Sequence, residues 1–174
     1  LKEGGAKYDF ISGLQVGIAN LANSLAALRK LVFEEKRISQ EELMRHLEEN
    51  FEGLDGEVVR QQLLKKVPKY GNDDDYTDEL IQQAYGYFIE ELSKYHNTRY
   101  GRGPIGGTYY AGTSSISANV PSGAAVPATP DGRKAYTPLA EGSSPSSGTD
   151  VLGPTAVFKS VSKLPTDKIF GGVL

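Results

Sequence analysis

Gly17-Ile18-Ala19-Asn20-Leu21-Ala22-Asn23-Ser24-Leu25-Ala26-Ala27-Leu28 is the stretch on which the reading of this chain turns. Extended by one turn on either side, it places Leu14, Ile18, Leu21, Leu25, Leu28 and Val32 at spacings of 4, 3, 4, 3 and 4. That rhythm is one face of an α-helix. The other faces carry Ala19, Ala22, Ala26 and Ala27, so the helix is expected to be buried on more than one side. Each large side chain it buries contributes roughly 1.5–3 kcal/mol, which makes this the strongest core element in the sequence.

Outward from it, residues 12–97 keep a helical pattern and carry most of the charge. Ser39 and Glu42 form a capping box ahead of a helix with Leu43, Leu47 and Phe51 inward. Asp55 is expected to cap a short helix carrying Val59 and Leu63, which stops near Val67 because Pro68 follows. Asp73, Asp74 and Asp75 precede a longer helix with Ile81, Tyr85, Phe88, Leu92 and Tyr95 on its inner stripe. Acids in a first turn match the helix dipole. A calcium loop would need a glycine and a bidentate glutamate at offsets this run lacks.

Residues 98–154 are rich in Gly, Ser, Thr, Ala and Pro. Gly101-Arg102-Gly103-Pro104-Ile105-Gly106 matches G-x-G-x-x-G formally, but a helix precedes it and a strand follows, the reverse of a dinucleotide site. From Tyr110 to Val120 the even positions are Tyr110, Gly112, Ser114, Ile116, Ala118 and Val120, a period-2 pattern that predicts a strand. Its small side chains suit the lining of a cavity. Thr129-Pro130-Asp131-Gly132-Arg133 predicts a tight turn. The stretch onward to Gly153 has almost the composition of a disordered segment. Pro154 stands where a helix would begin, with Val157, Val161 and Leu164 inward, and Ile169 to Leu174 reads as a strand.

Composition excludes several classes. The net charge of −3 with scattered Lys and Arg argues against a nucleic-acid partner. No apolar run approaches the roughly 20 residues that span a bilayer. There is no cysteine, and His46 and His96 are the only histidines, too few for a zinc site. A reducing cytoplasm is the expected location. His46 is expected on a solvated helix face and His96 at a helix end; no G-x-S-x-G elbow or nucleophile–base pair stands out. The first residues show neither an initiator Met nor a signal-peptide pattern, so the chain is expected to be an internal piece of a larger enzyme.

Order along the chain says more. Gly4-Gly5-Ala6-Lys7-Tyr8-Asp9-Phe10, Gly17-Ile18-Ala19-Asn20, Asn23-Ser24-Leu25-Ala26-Ala27-Leu28 and Lys69-Tyr70-Gly71-Asn72-Asp73-Asp74-Asp75 are followed by Ser117-Ala118-Asn119-Val120-Pro121. Then come Ala128-Thr129-Pro130-Asp131-Gly132-Arg133-Lys134, Pro138-Leu139-Ala140-Glu141-Gly142, Gly153-Pro154-Thr155-Ala156 and Lys159-Ser160-Val161. This colinear series resembles the large domain of glycyl-radical enzymes, the family of pyruvate formate-lyase, diol dehydratases, a choline-cleaving lyase and aryl decarboxylases. The Gly-Asn-Asp-Asp-Asp and Gly-Pro-Thr-Ala versions resemble the dehydratase-type branch.

The resemblance implies an α/β fold in which residues 1–174 form part of a ten-stranded barrel. The barrel surrounds one loop with a thiyl-forming cysteine and another with a radical-bearing glycine. Neither that cysteine nor an Arg-Val-x-Gly-Tyr motif occurs here, so no catalytic, cofactor-binding or metal residue is expected and the chain is expected to be inert alone. The implied parent is a radical lyase or dehydratase cleaving C–O, C–N or C–C bonds of a small polar substrate. Its glycyl radical would be installed by an iron–sulfur, S-adenosylmethionine-dependent activating enzyme, and the parent is expected to be a homo-oligomer. A formate acetyltransferase parent, or a non-catalytic binding or scaffolding module, are the alternatives. By the same resemblance Ser114 and Ile116 face the substrate, Ser114 as a hydrogen-bonding group and Ile116 as an apolar wall, unless both merely pack. A slice of a barrel should also expose apolar surface, so the isolated chain is expected to be loosely folded or prone to aggregate.

Overall fold

Parallel strands need a long crossover between them, and here the helical half of the sequence supplies it. In the computed structural model, which describes residues 8–98, 100–101, 105–113, 117–172 and 174, strand β1 (Tyr8–Gln15) pairs in parallel with β2 (Ile105–Thr113). The register sets Ser12 opposite Tyr110 and Leu14 opposite Gly112. On the other edge of β2 the C-terminal segment begins a third parallel line. Ile169 bridges Ala111, and the Phe170 amide donates to the Ala111 carbonyl at 2.7 Å. The expected terminal strand is realised as that short contact, after a 3₁₀ turn over Thr166–Lys168. The described residues thus give a helix-rich α/β unit with a small parallel sheet; a ten-stranded barrel is not seen in them.

Between the strands run α1 (Ile18–Ala27), a π-helical continuation (Leu28–Glu34), α2 (Gln40–Glu48), α3 (Gly53–Lys65) and α4 (Asp75–Leu92). After β2 come α5 (Asn119–Ala124) and α6 (Pro154–Ser162). The leucine stripe is the main correction. Leu14 belongs to β1, and α1 starts only after Gly17, whose φ of 77° is open to glycine. Leu21 is 46% exposed, whereas Ala19, Ala22, Ala26 and Ala27 are fully buried together with Asn20 and Asn23. Small side chains let α4 approach the α1 backbone closely, and that approach, rather than leucine area, fixes the packing.

Two clusters make the core. One joins Ala26, Leu31, Ile38, Leu43, Phe51, Val59 and Leu63; the other joins Ile18, Ala22, Tyr70, Ile81, Tyr85, Ala140 and Leu164. The Ser39–Glu42 capping box forms as expected, with the Glu42 amide 3.1 Å from Ser39 Oγ. Glu52, not Asp55, occupies the N-cap of α3, and Asp55 lies in its first turn. Asp74 caps α4 by accepting from the Tyr76 amide at 3.0 Å. Tyr95 falls beyond the end of α4 and is exposed. His46 is buried, only 3% exposed, on the inward face of α2 with Glu49 3.6 Å from its Nδ1, contrary to the solvated face expected for it. His96 lies past the helix, bridged to Thr108 and stacked on Tyr100 at 3.8 Å. Of the strand expected over 110–120, Tyr110 to Thr113 belong to β2, 114–116 lie outside the described residues, and Asn119 and Val120 open α5 instead.

Candidate functional site: the open sheet face and the polar hub at its end

Alternation along the strands separates two faces. A Cβ added to Gly13 would lie 2.9 Å from Leu92 Cδ1 and 3.4 Å from Phe88 Cζ, so the odd positions of β1 look onto α4. A Cβ added to Gly112 would lie 2.3 Å from Ser12 Oγ and 3.3 Å from Leu14 Cδ2, so the even positions of both strands share the opposite face. Ala111 and Thr113 are buried, while Leu14 and Tyr110 are 57% and 46% exposed. The even face is open at Leu14 and Tyr110 and closed at Gly112, while the odd face is open at Ile11, which is 44% exposed. Ser114 and Ile116 lie outside the described residues; of the other members of their series Tyr110 and Gly112 are on the even face, while Ala118 and Val120 belong to the start of α5.

Past the C-terminal ends of both strands the chain gathers a dense polar hub. Ala140 is held from two sides: its amide donates to Asn20 Oδ1 at 2.6 Å, and its carbonyl accepts from the Gly17 amide at 3.2 Å. Asn20 Nδ2 donates to Asp131 Oδ2 at 2.7 Å and to Ser146 Oγ at 3.3 Å. Asn23 accepts the Tyr70 amide at 2.9 Å, and Ser24 Oγ accepts the Asp131 amide at 3.2 Å. Asp131 Oδ1 in turn accepts from Thr129 Oγ1 at 2.6 Å and from the Arg133 amide at 3.2 Å. The Arg133 guanidinium gathers the carbonyls of Val126, Pro127, Lys134 and Thr137. Lys69 Nζ donates to the Leu63 and Asp131 carbonyls at 2.8 and 3.3 Å. Burial pushes the Lys69 ammonium down to about 8, against the opposing pull of Asp131.

This network explains why a segment with the composition of a disordered loop is ordered: its backbone groups find partners on Asn20 and Ser24 of α1, on the Gly17 amide and on the Arg133 guanidinium. The predicted turn at Thr129–Arg133 is present, with the Gly132 amide donating to the Thr129 carbonyl at 3.0 Å. Asn20, Asn23, Lys69, Asp131 and Arg133 are legible as motif members and not as a cluster, because nothing in spacing joins positions more than 100 apart, as in Asn20 and Asp131. Beside the hub lies a cavity of about 680 Å³ bordered by Asn23, Lys69, Asn119, Asp131, Glu141 and Ser146. A second cluster, which no motif signals, docks α6: Lys163 Nζ lies 3.0, 2.7 and 2.8 Å from Asp73, Asp75 and Asp78. Among the described residues no group of His, Cys, Asp or Glu could hold a metal ion, and no helix of the described residues is long and apolar enough to cross a membrane.

Two parallel strands joined by a helical crossover, with a polar hub packed beside them, describe a piece of an α/β fold. The chain belongs to the pyruvate formate lyase-like family, whose model matches residues 1–123. Within it, the chain is similar to dehydratases of the glycyl-radical branch, as its motifs imply. It is 67% identical over all 174 residues to the probable dehydratase YbiW of Escherichia coli K12, of which it covers 22%. It superimposes with a TM-score of 0.88 and 44% identity on a Roseburia inulinivorans structure described for 1,2-propanediol dehydration, covering 99% of this chain and 22% of that one. A glycyl radical enzyme of Archaeoglobus fulgidus follows with a TM-score of 0.81 and 35% identity, covering 97% of this chain and 20% of that one. The chain spans about a fifth of the length of these relatives.

Proposed function

We propose that these 174 residues form a stretch of the barrel wall of a glycyl-radical dehydratase or lyase that cleaves a C–O, C–N or C–C bond of a small polar substrate. The observation that carries this is the end-to-end similarity to dehydratases, in a chain whose parallel strands leave Leu14 and Tyr110 exposed on one face. The sequence contains no cysteine, so the thiyl-forming residue is supplied elsewhere in the ten-stranded barrel of the parent. The parent's glycyl radical, installed by an iron–sulfur, S-adenosylmethionine-dependent activating enzyme, supplies the hydrogen-abstraction chemistry. This chain's residues orient substrate and exclude water. Ser114 donates to or accepts from a substrate hydroxyl, and Ile116 closes the apolar side. The reading also takes the parent to be a cytoplasmic homo-oligomer.

The test is anaerobic activation of the whole polypeptide that carries these residues. Electron paramagnetic resonance should show a glycyl doublet. Ser114→Ala should raise KM by about tenfold, the worth of one hydrogen bond of about 1.4 kcal/mol. Absence of any organic radical sinks the family chemistry; a kinetically silent Ser114→Ala and Ile116→Ala sink the site.

A further inference from the structure

Lys69 sits in the loop between α3 and α4, only 8% exposed, and among the described residues no carboxylate forms an ion pair with it. Its Nζ turns instead to two backbone carbonyls, that of Leu63 in the last turn of α3 at 2.8 Å and that of Asp131 at 3.3 Å. The Asp131 carboxylate is already engaged by Asn20, Thr129 and the Arg133 amide. An ammonium offers three N–H donors and no lone pair; the neutral amine offers two donors and one lone pair. Two carbonyls therefore match the amine, and its lone pair is left over. Burial without a paired carboxylate favours that form.

The same side chain borders open space. Lys69, Leu64, Ser147 and Thr149 line two cavities in common, one of about 680 Å³ at the hub and one of about 660 Å³ that Val67, Pro68, Val151 and Leu152 also border. Both volumes fall within the range of small-molecule sites, roughly 300–1,000 Å³. A buried lysine whose amine is uncharged is the side chain that forms imines with carbonyl compounds.

We propose that Lys69 captures a small aldehyde from these cavities as an imine. The Nζ lone pair attacks the carbonyl carbon, and the resulting carbinolamine loses water, whose oxygen comes from the aldehyde and whose hydrogens come from the amine. No oxidant or reductant takes part. The Leu63 and Asp131 carbonyls lose a donor in the process, so the capture is reversible and a hydride donor is needed to trap it. Loss of water from a vicinal diol leaves an aldehyde, so a dehydratase of the kind proposed above would generate such a ligand itself. The capture does not depend on that reading, on Ser114 or on the radical.

Reductive alkylation of the whole, unactivated polypeptide with propanal and cyanoborohydride tests it, reading propylation of each lysine by peptide mass spectrometry. At about pH 7 an amine whose pKa is lowered to about 8 is uncharged roughly two-hundredfold more often than one at the free-lysine value of about 10.4. Even with entry slowed by burial, Lys69 should be alkylated at least about tenfold faster than the exposed Lys65 and Lys66, with a rate that levels off above about pH 8. The preference should vanish in urea, where burial is lost. Alkylation of Lys69 no faster than that of Lys65 and Lys66 overturns the proposal, as does a preference that persists in urea. A lysine that serves only as a strut between two carbonyls would give the first of those results.

Discussion

Asn20→Asp is the sharpest probe of the hub, because it changes one atom and reverses one donor. Asn20 Nδ2 donates to Asp131 Oδ2 across 2.7 Å, and both residues are 5% exposed. In the variant two carboxylates meet at that distance, although the Ala140 amide still has its acceptor on residue 20. Like charges so placed cannot both ionise, so the folded pair retains a proton and one carboxyl is raised far above its unfolded value of about 3.9. Binding that proton sets the ceiling on the damage. At about pH 7 it costs close to 4 kcal/mol, roughly 1.4 kcal/mol for each pH unit above the unfolded value.

The sign follows from linkage: a raised folded pKa stabilises the variant below about pH 4 and is lost as pH rises toward the folded value. When the pair is protonated, the introduced carboxyl donates to Asp131 and the lost bond is restored. Hydrogen exchange of the 128–141 segment in the whole polypeptide, with intrinsic rates divided out, should therefore show a local stability deficit that shrinks from about 4 kcal/mol near pH 7 to about 1.5 near pH 5. The double variant Asn20→Asp with Asp131→Asn reinstates one amide against one carboxylate in the same atoms. It should recover most of the loss, a coupling of about 3 kcal/mol. A deficit equal at both pH values, or a double variant no better than the sum of the singles, would refute the assignment of the Asn20–Asp131 bond as the hub's organising contact.

Three further outcomes follow from the same structure. Lys163→Met removes the ammonium shared by Asp73, Asp75 and the fully buried Asp78, and should loosen α6 by about 3 kcal/mol or more, seen as faster exchange over 154–164. Gly123→Ala drives a methyl to 2.3 Å from the Thr137 carbonyl oxygen and 2.7 Å from Pro138 Cα, and should cost about 1–3 kcal/mol, read as proteolytic nicking between α5 and α6. Because burial lowers the Lys69 pKa to about 8, below its unfolded value of about 10.4, the unfolded state binds more protons between those values and stability rises with pH there. Thermal melts from pH 8 to 10 should show the native chain gaining up to roughly 3 kcal/mol relative to Lys69→Met, which lacks the titration.

Local signals are legible in the sequence and tertiary ones are not. Ser39 and Glu42, Pro154 at the start of α6 and the turn at Thr129–Arg133 act within a few residues, where sequence spacing is distance. The leucine stripe misleads because hydrophobic periodicity weighs area. At Ala19, Ala22 and Ala26 it is the absence of side chain that allows α4 to come close, and Leu21 is left outside. β1 escapes the pattern for a related reason. Gly13 and Ser12 interrupt its apolar rhythm, and both are required to be small by their neighbours, Leu92 in one case and the Gly112 strand in the other. The strand expected to reach Val120 is seen as far as Thr113, where the described run ends, and its last expected position opens the Asn119–Ala124 helix instead, because period-2 alternation of small residues does not distinguish a strand from a helix.

The hub is hidden more deeply, since its composition is that of a solvated loop. Serine, threonine and glycine cannot bury enough apolar area to order themselves. What ties residues 126–149 down is the pair of asparagines on α1: Asn20 accepts the Ala140 amide and donates to the side chains of Asp131 and Ser146, and Asn23 donates to Ser146 while accepting the Tyr70 amide. An asparagine on an alanine-rich helix face reads as a polar interruption, and only the structure shows that it is the attachment point. The cost of such an arrangement is rigidity of demand: every buried donor must meet its acceptor for the loop to stay ordered.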